Sequence, residues 1–175
     1  MHPKLQRILN TLETDRKRLL QELADVPDQR FNTNPLPGKW SISQILTHII
    51  TSERLTLLYM RKKSLGIEQL DNSGWIESFK MSFLEVSQRL PFLKFKAPDV
   101  VVEHTPEALS YEEVVSQWDK VREQLRKFLD GIEDKNVRKK IYKHPVVGRL
   151  DASQAIRFCG EHIRHHLPQI RKLMK

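Results

Sequence analysis

The sequence predicts an all-α protein: a four-helix bundle with a long crossover between the second and third main helices. Three observations carry this. Four long stretches repeat apolar residues at steps of three and four, the period of one helix face. Three of them open on a capping-box pattern, Ser41 with Gln44, Ser110 with Glu113 and Asp151 with Gln154. Almost nowhere does the chain alternate apolar and polar residues as a half-buried strand would. At 175 residues it reads as one domain, residues 1–175, long enough to bury a sizeable core.

The first helix is predicted from Pro3 to Ala24. Leu5, Ile8, Leu9, Leu12, Leu19, Leu20 and Leu23 keep the period, and Pro3 suits the first turn. Asp15 and Arg16 interrupt this seam and are expected to face solvent or snorkel. Asp25 to Lys39, with three prolines and a glycine, reads as a linker. The second helix follows Trp40, with Ile42, Ile45, Leu46, Ile49, Leu55, Leu58 and Tyr59 as its broad apolar face. Ser64 to Ser110 is the crossover, the kind of connection that joins parallel neighbours in a bundle. Trp75, Phe79, Phe83, Val86 and Leu90 suggest a short helix there, with aromatic residues capping one end of the bundle or offering a homodimer face. Val100 to Val102 is extended at most, and His104 reads as a surface residue. The third helix runs from Ser110 to Leu129 on the seam Tyr111, Val114, Trp118, Val121, Leu125 and Phe128, and Gly131 ends it. A turn at His144-Pro145-Val146-Val147-Gly148 leads into the fourth, Asp151 to Lys175, whose last turn carries Arg171, Lys172 and Lys175 against the negative end of the helix dipole.

Composition narrows the function. Thirty Lys and Arg against 22 Asp and Glu give a net charge of +8, a general bias towards anionic ligands without a clustered basic face. A single cysteine excludes an internal disulfide and suits a reducing compartment. The N-terminus MHPKLQRILN has no signal-peptide pattern, and no run approaches the ~20 apolar residues of a membrane span, so a cytoplasmic protein with no membrane partner is expected.

Histidines are the chemically informative residues. The seam of the fourth helix runs Ala155, Cys159, His162, His166, Ile170, Leu173, with two imidazoles where a bundle would normally place leucine. At i and i+4 they share a face and are able to bind one ion. His48 sits on a comparable line, Ser41, Ile45, His48, Ser52, Leu55, Tyr59. If the two helices touch, which spacing leaves open, His48, His162 and His166 form an open three-histidine set completed by water or substrate. Imidazole suits zinc, nickel, copper or iron alike. The plain alternative is core histidines satisfied by hydrogen bonds. The pair lacks the glutamate of HExxH, which disfavours a zincin peptidase. Glu53, about 140° round its helix from His48 at 3.6 residues per turn, and Glu161 read as solvated. Trp40 and Trp118 read as packing residues and Cys159 as a small apolar one.

Three stretches carry a resemblance: Pro37-Gly-Lys-Trp-Ser-Ile-Ser-Gln-Ile-Leu-Thr-His48-Ile, His144-Pro-Val-Val-Gly148 and His162-Ile-Arg-His-His166-Leu-Pro-Gln169-Ile. In order and spacing the chain resembles the DinB-like (DinB/YfiT-like) proteins over essentially its whole length. The resemblance implies a four-helix bundle with a long crossover and a divalent metal, zinc or nickel, held by His48, His162 and His166, with His165 outside the ligand set. It also implies relatives that are thiol-dependent transferases and isomerases using low-molecular-weight thiols such as bacillithiol or mycothiol. Pro168 departs from the pattern, standing where glycine usually precedes the glutamine, and is expected to disturb the helix just beyond His166. The expected function is therefore a metal-dependent thiol S-transferase or isomerase, or a hydrolase at the same site, acting on a small-molecule electrophile. The alternatives are a non-catalytic metal-binding or stress-related interaction bundle and, ranked last for want of a reading motif, a basic nucleic-acid-binding module.

Overall fold

The computed structural model describes residues 1–89 and 109–175. Its main elements are four long helices: α1 (Pro3–Leu23), α3 (Ile42–Ser64), α5 (Tyr111–Asp130) and α6 (Ala152–Met174). The short α2 (Asp28–Asn32) lies between α1 and α3, and α4 (Trp75–Arg89) follows α3. A two-stranded hairpin, β1 (Tyr142–His144) with β2 (Gly148–Leu150), precedes α6. Val100 to Val102 and His104 lie outside the described residues.

The predicted helix starts form as their caps dictate. Ser41, Ser110 and Asp151 each accept a hydrogen bond from the amide three residues on, and each N3 side-chain oxygen accepts one from the cap N–H. Helix α6 packs against α1, α3 and α4, and α3 packs against α5 as well. The core is built from the seams, with Leu5, Leu9, Ile45, Ile49, Trp118 and Ala155 almost wholly enclosed.

Several details depart from the sequence-based expectation. The linker contains α2, which follows Pro27 and buries Phe31 edge-on against Tyr111 at 6.0 Å. The His144–Gly148 turn is flanked by paired strands, Tyr142 opposite Leu150 and His144 opposite Gly148. Tyr142 and Leu150 turn inward, while Gly148 at φ 83° takes the left-handed conformation that closes the turn. Such three-residue strands are too short to register as alternation. Among the described side chains of α4 Met81 is buried, whereas the aromatics Trp75, Phe79 and Phe83 are 81%, 71% and 63% exposed and so do not cap the bundle. Pro168 does not end α6, which continues to Met174. Its missing N–H removes the backbone donor that would have met the Arg164 carbonyl.

Charge in the interior is the largest surprise. Arg16 and Glu53, both expected at the surface, are buried, and Glu53 is only 3% exposed. Its carboxylate accepts from Trp118 Nε1 at 3.0 Å and from Arg122 Nη2 at 2.7 Å. Arg122 also lies 3.3 Å from Glu13, and Arg16 pairs with Glu13 and Asp119. Both guanidiniums stand over the Trp118 ring, at 6.0 and 5.7 Å from its centroid. The network ties α1, α3 and α5 together across the core. Removing one member of a buried, hydrogen-bonded pair strands the other, so Glu53→Ala is expected to cost about 3–5 kcal/mol of stability. Urea unfolding checks this. A loss below about 1 kcal/mol, the scale of an exposed pair, would show that the network adds little.

Candidate metal centre

The site forms where α3 and α6 cross. Ser41 fixes the start of α3, and His48 follows two turns later, 4% exposed and facing α6. Trp40, just before the cap, lays its ring against the His48 imidazole at 4.9 Å and 48°. On α6, His162 and His166 stand one turn apart on the same face. His162 stacks nearly parallel to Phe158, at 5.8 Å and 9°.

All three imidazoles converge. His162 Nε2 lies 3.1 Å from His48 Nε2 and 3.2 Å from His166 Nε2. The ligand-capable atoms of the three residues all fall within 4.8 Å of one another. Nitrogens about 2.0–2.1 Å from a common ion stand roughly 2.9–3.4 Å apart for bond angles between 90° and tetrahedral. The 3.1 and 3.2 Å separations fall inside that range. These histidines form a group that can hold a metal ion, and the open side of a three-ligand set leaves room for a further ligand.

Orientation and charge agree with that use. His166 Nδ1 is 3.2 Å from Gln169 Oε1. With Nδ1–H donating to that carbonyl oxygen, Nε2 keeps its lone pair for the centre of the cluster. The Nδ1 atoms of His48 and His162 are buried with no hydrogen-bond partner among the described residues. Burial, and then the charge of His165, lowers the pKa of His48 to about 4. Burial and His48 bring His166 to about 3, against the opposing bond to Gln169. Burial and the neighbouring imidazoles hold His162 well below the ordinary histidine value. All three are thus neutral at physiological pH, the form that binds metal.

The other candidates fall elsewhere. The His165 ring is 5.1 Å from that of His166, and the residue is not in the converging group. Glu53 is committed to Trp118 and Arg122. Glu161, also buried rather than solvated, pairs with Arg164, which reaches on to Asp15. Cys159 is a core thiol whose pKa burial pushes well up, so it stays protonated. Trp118 is core, as expected, and Trp40 is a wall of the site. Sequence reasoning assigned no role to Gln169. Its i+3 spacing from His166 was the available signal.

In the unfolded chain these histidines titrate near 6.5, whereas in the folded metal-free protein His48 and His166 titrate near 4 and 3. Between those values the unfolded state binds more protons, so stability falls as pH drops below about 6.5 and the loss ends only near the folded-state values. The urea midpoint of the metal-free protein is expected to be lower at pH 5 than at pH 7. His48→Leu should flatten the slope by up to ~1.4 kcal/mol per pH unit. An unchanged slope would show that His48 is not held neutral. Gln169→Ala is expected to weaken zinc binding roughly 10–100-fold in chelator competition, with helicity kept. Unaltered affinity would remove Gln169 from the site.

Comparison with known proteins agrees with this architecture. The chain is 28% identical over 154 residues to the uncharacterized protein YuaE of Bacillus subtilis (strain 168), covering 87% of this chain and 88% of that protein. Its fold is similar to the crystal structure of TT2238, a four-helix bundle protein, with a TM-score of 0.60 and 19% identity over 96% of this chain and 98% of that one. The sequence profile of the DinB superfamily matches residues 11–170, nearly the whole length. The chain belongs to the DinB superfamily.

Proposed function

We propose that the protein is a metal-dependent enzyme of the thiol S-transferase or isomerase type, with His48, His162 and His166 as the ligands of a divalent ion, zinc or nickel. The observation that carries this reading is the convergence of three neutral imidazoles within 4.8 Å. A divalent ion bound there supplies a Lewis acid that favours the thiolate of a low-molecular-weight thiol or activates water. The chain's own part is to hold and orient. The depressed pKa values keep the imidazole lone pairs free of protons, and Gln169 fixes the His166 ring. Trp40 and Phe158 wall the imidazoles of His48 and His162 with aromatic surface against which an electrophilic small molecule is able to pack.

One observation favours a second reading, a metal-binding bundle without catalysis. The converging group contains no carboxylate, and Glu53 on the same helix as His48 is occupied by the fold, so it is not free to act as a general base. Thiol dependence separates the two.

The test is metal content of protein purified without a histidine tag, beside the His162→Ala/His166→Ala variant. About one divalent ion per chain is expected, lost in the variant while helicity stays, followed by thiol-dependent turnover in a panel of low-molecular-weight thiols. No metal after reconstitution with zinc or nickel would overturn both readings. Bound metal without thiol dependence would favour the second.

A further inference from the structure

The three imidazoles are unequally supported on the side away from their meeting point, and this bears on how they hold an ion. A histidine that binds metal through one ring nitrogen ordinarily donates the hydrogen on the other to a carboxylate, a backbone carbonyl or water. His166 has such a partner, with Gln169 Oε1 at 3.2 Å from its Nδ1. His48 and His162 do not: both Nδ1 atoms are buried with no hydrogen-bond partner among the described residues. Trp40 lies against the His48 ring and Phe158 stacks on that of His162, so both rings are held in place by aromatic surface that offers no acceptor oxygen.

The spacing of the inner nitrogens decides where the hydrogens lie in the metal-free protein. A neutral imidazole has one N–H and one lone pair. His166 gives its hydrogen to Gln169, so its Nε2 presents the lone pair. His162 Nε2 faces that lone pair at 3.2 Å. Two lone pairs repel at such a distance, so the hydrogen of His162 sits on Nε2 and is donated to His166. His48 Nε2, 3.1 Å from the same atom, faces the same hydrogen. Binding an ion between the three rings requires the lone pair of His162 at Nε2. Its hydrogen must then pass to Nδ1, where nothing accepts it.

We infer that His162 is a tautomeric switch on metal occupancy: its hydrogen closes the cluster on itself when on Nε2 and opens it to an ion when on Nδ1, so the site takes up and yields its ion readily. This rests on the metal reading above and adds a regulation of that site, an occupancy that follows the supply of metal. Loss of one outer partner of a metal-binding histidine weakens binding roughly 10–100-fold, and two of the three ligands here lack theirs. The bond between His162 and His166, which the ion must replace, acts in the same direction.

Two measurements on the full chain test the switch, with zinc as the probe. Long-range proton–nitrogen NMR spectra of isotope-labelled protein distinguish a histidine carrying hydrogen on Nε2 from one carrying it on Nδ1. In the metal-free protein His162 is expected to carry hydrogen on Nε2 and His166 on Nδ1. Added zinc should shift the hydrogen of His162 to Nδ1 and leave that of His166 where it was. The zinc-loaded protein is then mixed with an excess of EDTA, and the return of the His162 signal to the Nε2 form is followed; complete loss of zinc within minutes is expected. A hydrogen already on His162 Nδ1 in the metal-free protein, or zinc kept against EDTA overnight, would overturn the inference and leave the metal reading intact. Failure to bind zinc at all would overturn both.

Discussion

Helix α6 is enclosed by α1, α3 and α4 at once, and so its seam has to be satisfied along its whole length. Alanine, cysteine and isoleucine meet this at Ala155, Cys159 and Ile170 by burying apolar surface. His162 and His166 cannot. An imidazole enclosed among apolar side chains needs a partner for its nitrogens, and His162 Nε2 finds it in two other imidazoles, His166 on its own helix and His48 across the helix interface. The packing of α3 on α6 is therefore what makes the histidines tolerable, and the histidines are what make that packing chemically useful. Enclosure also depresses their pKa values, which ties ligand competence to the fold: the surroundings that make a proton costly keep the lone pairs available.

A second buried polar assembly holds the same helix from its opposite side. Glu53 lies on α3 five residues after His48, and its bonds to Trp118 and Arg122 fix α3 against α5. Arg122 and Arg16 extend the connection to Glu13 on α1. Helix α3 is thus pinned on one face by ion pairs and presents its histidine on another. Directional bonds of this kind restrict rotation and sliding of the helix more than apolar contact does, which matters where nitrogens must meet to within a few tenths of an ångström.

The hairpin contributes a fourth imidazole, outside the cluster. Phe158 is the common wall, edge-on to His144 and stacked on His162, so a short insertion with almost no sheet of its own is registered against the three-histidine group through one aromatic ring. That the turn amides set the His144 tautomer follows from the same economy: the backbone bonds that shape the turn also decide which nitrogen carries hydrogen.

The four long helices and their starts were legible in the sequence because periodicity and capping are local. Ser41 with Gln44, Ser110 with Glu113 and Asp151 with Gln154 act within one turn of chain and form as read. The spacing of His162 and His166 is local in the same way. What the sequence could not decide was which helix faces α6. The approach of His48 to His162 joins residues 114 apart in the chain and depends on the whole bundle closing. Arg16 and Glu53 were misread for the same reason: a charged residue on a seam looks solvated until the partners that neutralise it are in place, and those lie on other helices. The chain by itself determined the helices, their faces and the residue types available for chemistry. Only the tertiary structure decided which of those side chains meet, because contact between distant segments is set by the packing of every helix at once.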